Sequence, residues 1–191
     1  MAFTSISSKT AIKQNQVVRS KKAIFFDRDG TLINTFVSKK NIPIAIRNYK
    51  DLKLIKNTKS VIQKLSAKYI IFVITNQPDV SRGKNSKKNV IKINSELIKK
   101  LNINKIYTSY SDNDKNYMRK PNPGMIYLAK KQFNINLKKS FVVGDSHKDM
   151  AAGKKAKCKT ILFKKKYNDY KFSRPDFAIN DFDELLNIIK V

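Results

Sequence analysis

The sequence predicts an α/β domain of three layers, in which helices cover both faces of a central parallel sheet. Short apolar runs alternate along the chain with longer stretches whose apolar residues recur at helical spacing. One run, YIIFVIT at 69–75, is almost continuously apolar, which is typical of a central strand buried on both faces of a parallel sheet. Strands and helices that alternate in this way favour parallel pairing through crossover connections.

The predicted elements follow one another in regular order. The predicted strands are 23–26, 69–75, 105–109, 140–144 and 159–163. The predicted helices are 57–67, 86–101, 123–133, a short one after His147, and 181–190. Val61, Ile62 and Leu65 lie on one face of the first helix. Pro123 opens the third helix at a position that proline favours, and Asp181 is suited to cap the last.

The charge of the chain is strongly positive. It has 41 Lys and Arg against 14 Asp and Glu, a formal net charge of +27, so its surface attracts polyanions and phosphorylated small molecules. We favour a compositional bias over a dedicated nucleic-acid face, because Lys, Asn and Ile are frequent throughout and the basic residues are scattered. Only KKAKCKTILFKKK at 154–166 resembles a basic patch.

Length and cysteine content bound the organisation of the chain. Its 191 residues, 41% of them hydrophobic, fit one folded domain at 22–191 behind a basic extension at 1–21 that is disordered or docked. A transit peptide is the alternative interpretation of that extension. The single cysteine, Cys158, excludes an internal disulfide and indicates a reducing cytoplasm. No apolar run approaches the ~20 residues of a membrane helix, so we expect no membrane partner.

Polar residues gather where the predicted strands end. They are Asp27 and Asp29 after the first strand, Thr75, Asn76 and Gln77 at the second, and Asp145 with Asp149 after the fourth. Ligands of open α/β sheets bind beyond the carboxyl ends of the strands. Four of the 14 acidic residues therefore converge on one edge of the sheet.

The two aspartates after the first strand are two residues apart, a spacing that would let both act at one site. Side chains at i and i+2 of an extended segment point the same way, so Asp27 and Asp29 should face one side, with Arg28 turned away. Asp145 from a neighbouring strand would bring a third carboxylate near. Such carboxylates repel one another unless a cation lies among them or a proton is shared. An all-oxygen ligand set selects a hard cation, with Mg²⁺ as the default.

Carboxylates beside Mg²⁺ are suited to phosphoryl transfer. Asp27 would attack phosphorus and form an aspartyl-phosphate. Asp29 would protonate the leaving oxygen and then deprotonate the hydrolytic water. Thr75 offers a hydroxyl, and Lys120 an ammonium group, to the charged phosphoryl group.

Four segments together resemble the motifs of the haloacid dehalogenase (HAD) superfamily of Mg²⁺-dependent phosphohydrolases. They are DRDGT at 27–31, ITN at 74–76, RKPNPGM at 119–125 and VVGDSHKDMAAG at 142–153. The resemblance implies a HAD-like, Rossmann-like domain with Asp27 as nucleophile and Asp29 as acid/base. It implies Mg²⁺ held by Asp27, the Asp29 carbonyl and Asp145, with Asp149 in support. The residues that would hold the phosphoryl group are Thr75, Asn76 and Lys120. Those that would contact the rest of the substrate are Arg119 and, as further candidates, Arg82 and Gln77.

The segment ITNQPDVSRG at 74–83, together with RKPNPGM, is similar to the subfamily that contains heptose 1,7-bisphosphate phosphatases and the histidinol-phosphate phosphatase domain. Relatives in it often carry a zinc loop before the RKP residues, with Cys-x-His and later Cys-x-Cys. Here Asn116 and Met118 stand where the last two cysteines would fall, so we predict no structural zinc. Fewer than 50 residues, including the irregular stretch 34–55, separate the first two motifs, which leaves no room for a large cap domain.

Three functions remain open at this point. We favour hydrolysis of a small sugar phosphate, most simply a heptose 1,7-bisphosphate-type substrate, by a cytoplasmic monomer. Histidinol phosphate and polynucleotide 3′-phosphate are alternative substrates. The net charge favours the polynucleotide, whereas the GDSHKDMAAG segment and the lack of a basic groove interleaved with aromatic residues do not. A non-catalytic binding protein with a HAD fold is the third function, and the intact set of acidic and basic motif residues argues against it.

Overall fold

The computed structural model describes residues 20–167 and 174–190. In these two ranges, six parallel strands form the central sheet, in the order β5-β4-β1-β6-β7-β8. They are β1 (Ala23–Phe26), β4 (Ile70–Asn76), β5 (Lys105–Ser109), β6 (Phe141–Gly144), β7 (Lys159–Phe163) and β8 (Phe177–Ile179). The predicted extension at 1–21 lies almost entirely outside the described residues.

Within the described residues, five helices cover the two faces of the sheet and complete the three layers. They are α1 (Thr58–Leu65), α2 (Lys87–Lys100), α3 (Gly124–Phe133), α4 (His147–Lys155) and α5 (Leu185–Ile188). Buried residues of α1, α2 and α5 pack against one face of the sheet, and those of α3 and α4 pack against the other. Along β1, Ile24 and Phe26 point to the first face, while Ala23 and Phe25 point to the second. The predicted fold class is therefore confirmed.

The five predicted strands are present with small shifts of their ends, and β8 is an addition. This sixth strand has only three residues, Phe-Ala-Ile, too few to show a periodic pattern. The predicted helix at 181–190 is shorter than expected. A 3-10 turn at Phe182–Glu184 precedes the four residues of α5, and Asp181 and Glu184 form a capping box at its start.

The irregular stretch between the first motif and α1 forms a small ribbon. It pairs β2 (Phe36–Val37) with β3 (Pro43–Ile44) in antiparallel fashion and is followed by a 3-10 turn at Tyr49–Asp51. This ribbon is the only strand structure between β1 and α1, where every residue is described. The expectation of no large cap agrees with this connection.

The basic segment at 154–166 keeps its lysines at or near the surface, but buried core residues interrupt it. It spans the end of α4 and all of β7, and Cys158, Ile161 and Phe163 within it are buried in the core. Its lysines flank these buried residues, so their side chains are divided between the two ends of a core strand. Among the described residues, every helix is too short or too polar to cross a lipid bilayer.

Candidate active site

Three neighbouring strands deliver the predicted site residues to one edge of the sheet. β1 lies between β4 and β6, and its parallel register carries on beyond the strand, since the Asp27 amide donates to the Val143 carbonyl at 2.9 Å. Asp27 follows β1, Thr75 and Asn76 end β4, and Asp145 follows β6. The carboxyl-edge prediction therefore places these residues together, as parallel pairing requires.

A cluster of three carboxylates lies at this edge. One oxygen each of Asp27, Asp145 and Asp149 falls within 4.8 Å of the others. The buried Lys120 ammonium group bridges two of them, donating at 2.6 Å to both Asp27 Oδ1 and Asp149 Oδ1. It also donates to the Ile74 carbonyl at 2.8 Å. Lys120 is thus an internal counter-charge for the cluster.

Burial and the charges of neighbouring groups shift the pKa values of three groups in the cluster. Burial raises the pKa of Asp27 well above its usual range, and the charges of Asp149 and Asp145 add to that rise, although Lys120 opposes it. Burial, with the charge of Asp149, raises the pKa of Asp145 to about 6. Burial alone would lower the pKa of Lys120, but Asp149 and Asp27 together outweigh that effect and raise it. The lysine therefore stays charged, but its single positive charge does not balance the negative charge of three carboxylates.

This donor set suits a hard divalent cation. The three side chains supply only oxygen ligands, and the single Lys120 ammonium group donates to two of the three carboxylates, which leaves the cluster with more negative than positive groups. A divalent cation would supply the missing charge. Asp27 and Asp145 are the residues that would hold Mg²⁺ here, with Asp149 engaged mainly by Lys120 and by the Ser146 hydroxyl and amide.

Asp29 lies outside the carboxylate cluster, and its side chain is held by hydrogen bonds to only one of its two oxygens. Its Oδ2 accepts from Arg28 Nε at 2.9 Å and from Gln77 Nε2 at 2.8 Å. Its Oδ1 is buried and has no hydrogen-bond partner within residues 20–167 and 174–190. One oxygen is therefore fixed, and the other is available for proton transfer.

Arg28 is not turned away from its neighbours, which corrects the expectation from strand alternation. Its side chain is fully buried, contacts the Asp29 carboxylate, and donates from Nη1 to Asn94 of α2 at 2.8 Å. The strand has already ended at this point, because Gly30 turns the chain with φ of +84°. The i, i+2 rule applies to extended backbone and fails at this turn.

The residues that end and follow β4 are tied into the site by their side chains. Gln77 donates from the same amide nitrogen to Thr75 Oγ1 at 2.8 Å and to Asp29. The Asn76 side chain donates to the Lys120 carbonyl at 2.9 Å and accepts from the Lys120 amide at 3.1 Å. The predicted substrate residues Asn76 and Gln77 therefore line the cavity while their amide groups position Lys120, Asp29 and Thr75.

Arg119 and Arg82, the predicted substrate arginines, lie at the wall of the same cavity. Arg119 is buried, and it donates to Asp114 Oδ1 at 2.7 Å and to the Ser111 carbonyl at 2.9 Å. Lys148 also contacts Asp114, at 2.8 and 2.9 Å. Arg82 is more exposed and only loosely paired, at 3.5 Å from Asp112.

The cavity above these groups has a volume of about 650 Å³ and two kinds of wall. Ile42, Pro43 and Ile44 of the ribbon supply an apolar side. The cationic rim has five basic members, of which Arg47 is paired with Asp79, another lining residue; they are Arg47, Arg82, Lys84, Arg119 and Lys148. A compact molecule with an anionic group directed at the carboxylate cluster suits this combination of walls.

Sequence reasoning missed three residues of the site. They are Asp114, Lys148 and Tyr167, of which Tyr167 donates to Asp145 Oδ2 at 2.5 Å. Asp114 lies in the loop considered only for zinc, and Lys148 lies within the fourth motif between two aspartates. Tyr167 follows β7 closely, so the rule that site residues follow strand ends could have found it.

Mg²⁺ should stabilise the protein more at pH 7.5 than at pH 5.0. Because the folded pKa of Asp145 is raised to about 6, its contribution to stability is full below the unfolded pKa of ~4 and is lost as the pH rises through 6. A bound cation replaces the lost protons. We expect the Mg²⁺-induced rise in melting temperature to be about 5 °C larger at the higher pH. Equal rises at both pH values would contradict this, and Asp145→Asn should remove the difference.

The loop that carries zinc in relatives should be held here by hydrogen bonds. Asn122 donates to the Asp114 carbonyl at 2.8 Å and to the Asn116 carbonyl at 3.0 Å. We expect Asn122→Ala to lower the free energy of unfolding by about 1–2 kcal/mol, measured by urea titration. A zinc chelator with Mg²⁺ in excess should leave the melting temperature unchanged. A fall on chelation would show that the loop contains a structural metal.

Comparison with known proteins identifies related families. A family model described as polynucleotide kinase 3 phosphatase matches residues 22–182. The D-glycero-beta-D-manno-heptose-1,7-bisphosphate 7-phosphatase of Helicobacter pylori (strain ATCC 700392 / 26695) is 39% identical over 72 residues, which cover 38% of this chain and 41% of that protein. The corresponding enzyme of Pasteurella multocida (strain Pm70) is 55% identical over 47 residues, covering 24% and 26%. The chain thus spans less than half the length of these relatives.

Solved structures agree on the fold over most of the chain. A D,D-heptose 1,7-bisphosphate phosphatase from B. bronchiseptica, complexed with magnesium and phosphate, superposes with a TM-score of 0.74 at 21% identity, covering 88% of this chain and 99% of that one. A HAD-superfamily hydrolase from Geobacter sulfurreducens gives 0.58 at 13% identity, covering 89% and 100%. The HAD fold implied by the four motifs is therefore confirmed.

Proposed function

We propose that this chain, which belongs to the polynucleotide kinase 3 phosphatase family, hydrolyses phosphate monoesters with the help of Mg²⁺. One observation carries the proposal. The carboxylates of Asp27, Asp145 and Asp149 cluster at the floor of a cavity with a cationic rim, where a buried Lys120 ammonium group donates to Asp27 and Asp149. A nucleophile, a cation site and a phosphate attractant are thus present together.

Each residue has a defined task in the proposed reaction. Asp27 attacks phosphorus through a carboxylate oxygen, forming the P–O bond of an aspartyl-phosphate as the bond to the leaving oxygen breaks. Asp29 gives a proton to that leaving oxygen and then takes one from the water that hydrolyses the intermediate. Lys120 and the Thr75 hydroxyl contact the phosphoryl oxygens. Mg²⁺, when bound, would neutralise negative charge on the phosphoryl group.

The free oxygen of Asp29 supports the acid/base assignment. Oδ2 is held by Arg28 and Gln77, so the side chain cannot rotate without breaking two hydrogen bonds. Oδ1 is left to exchange a proton with the leaving group and then with water. A residue that acts first as a general acid and then as a general base benefits from this fixed orientation.

A small sugar phosphate, most simply a heptose 1,7-bisphosphate-type molecule, is the substrate that we propose. The curated relatives bear that activity in their names, and the cavity volume of about 650 Å³ suits a molecule of this size. The cationic rim would attract a second phosphate. We further propose that the protein works as a monomer in carbohydrate metabolism, in a reducing compartment such as the cytoplasm, where the buried Cys158 remains a thiol.

Polynucleotide 3′-phosphate is a second candidate substrate, favoured by two observations. The matching family model carries that description, and the net charge of +27 would attract a nucleic acid. One feature argues against this candidate. Ile42 and Ile44 line the cavity with apolar groups, which favours a compact substrate over a charged polymer.

A substrate panel tests these proposals. Mg²⁺-dependent phosphate release should be measured with heptose 1,7-bisphosphate, histidinol phosphate, other sugar phosphates and 3′-phosphorylated DNA. Fastest turnover of a sugar phosphate would support the first candidate. Preference for DNA, with binding that weakens steeply as salt rises, would replace it with the second. Wild-type protein that releases phosphate from none of them would contradict the enzymatic proposal itself.

A further inference from the structure

Tyr167 reaches the carboxylate cluster from outside the four sequence motifs. It lies four residues beyond the end of β7, the strand next to β6, and lines the cavity. Its hydroxyl donates to Asp145 Oδ2 at 2.5 Å. The short distance is typical of a hydroxyl bound to a charged oxygen. The side chain therefore contacts the carboxylate that would hold a cation, on a different oxygen from the Oδ1 that lies 3.4 Å from Thr31.

Gly30 makes this contact possible. A Cβ at position 30 would lie 2.2 Å from Asp145 Oδ2 and 2.4 Å from the Tyr167 hydroxyl oxygen, far inside van der Waals contact. The side chains of Tyr167 and Asp145 meet directly against the backbone of Gly30, which has no side chain to separate them. Nothing larger than glycine fits beside this hydrogen bond, so the three groups form one packed unit.

The hydroxyl is fixed as a donor. Its oxygen lies 2.5 Å from Asp145 Oδ2, and a carboxylate oxygen can only accept, so the hydroxyl is the donor of this bond. Repulsion between the crowded carboxylates would favour rotation of Asp145 away from Asp27 and Asp149. A donor on Oδ2 opposes that rotation.

We propose that Tyr167 is a positioning residue that holds the Asp145 carboxylate in the orientation needed to bind a divalent cation. The proposal rests on the cation site of the proposed function. Groups that hydrogen-bond to a metal ligand fix its direction, and their loss typically weakens metal binding by about 10–100-fold. In this protein the orientation is provided before the cation arrives, by a residue that makes no contact with the reacting phosphate in the proposed reaction.

Direct metal binding by Tyr167→Phe tests the proposal without reference to turnover. Free Mn²⁺ should be measured by electron paramagnetic resonance as protein is titrated, and Mg²⁺ binding by calorimetry. We expect Tyr167→Phe to bind Mn²⁺ about 10–100-fold more weakly than wild type. The matched control is Tyr127→Phe, which also removes a hydroxyl that donates within the protein, to the Lys155 carbonyl at 3.0 Å, but away from the cavity. It should bind Mn²⁺ like wild type.

The outcomes separate this inference from the proposed function. Unchanged Mn²⁺ affinity in Tyr167→Phe would overturn the positioning role while leaving the cation site intact. Tighter binding would also overturn it, because the hydroxyl would then compete with the cation. A wild type that binds no Mn²⁺ would overturn the cation site as well. Circular dichroism in EDTA should show the same fold for wild type and Tyr167→Phe, since the phenyl ring is retained.

Discussion

Asp27→Asn should reduce phosphate release on the order of 10⁴-fold or more while leaving the fold intact. Asparagine keeps the size of the side chain and can still accept a hydrogen bond from Lys120, which now donates to Asp27 Oδ1 at 2.6 Å. It lacks the nucleophilic carboxylate, so no aspartyl-phosphate can form. Steady-state phosphate release on the best substrate of the panel measures the loss, and circular dichroism checks the fold.

Asp51→Asn is the matched control for this experiment. Asp51 is an exposed aspartate in the 3-10 turn that follows the ribbon, and it does not line the cavity. Its substitution removes the same charge from the chain and should leave turnover within about twofold of wild type. Substantial turnover by Asp27→Asn would remove Asp27 from the role of nucleophile.

Lys120→Met should have the largest effect on stability in the absence of metal. The ammonium group is buried and compensates Asp27 and Asp149 at 2.6 Å each. Methionine fills much of the volume but leaves the buried carboxylates without their counter-charge. We expect the free energy of unfolding in EDTA, measured by urea titration at pH 7.5, to fall by about 3–5 kcal/mol.

Two further variants sharpen this test. Lys138→Met removes a lysine that is exposed on the 3-10 turn before β6, and it should change the free energy of unfolding by less than about 0.5 kcal/mol. Lys120→Met combined with Asp149→Asn should be more stable than Lys120→Met alone, because one uncompensated charge has been removed. A double variant that is less stable than Lys120→Met would show that the lysine acts through packing and not through charge.

The centre of the site could be predicted because it follows from sheet geometry. Asp27 and Asp145 come directly after apolar runs, and parallel strands bring their carboxyl ends to one edge whatever the rest of the chain does. Lys120 lies in an irregular loop, and it was found through the resemblance of its motif. The sequence could not indicate that its ammonium group bridges two aspartates, since that depends on contacts between segments 93 and 29 residues apart.

The parts that escaped prediction depend on backbone turns and short pairings. Arg28 is buried because β1 ends at Phe26 and the chain turns at Gly30, so the alternation of side chains does not continue to Asp29. The ribbon has strands of two residues, which carry no periodic signal. The role of Gln77 as a link between Thr75 and Asp29 was hidden for a different reason, because one amide group can serve either the substrate or the protein.

The way in which Lys120 is attached has a consequence for how this family can diversify. Its main chain is paired with the side chain of Asn76, and its ammonium group donates to the Ile74 carbonyl, so both ends of the residue are anchored to β4. Among the described residues, none of these hydrogen bonds of Lys120 goes to the preceding loop, 110–118. The residues of that loop can therefore change, for example from cysteines to polar residues, and the preferred substrate can change with them. The residues that carry out the chemical step remain in place at the edge of the sheet.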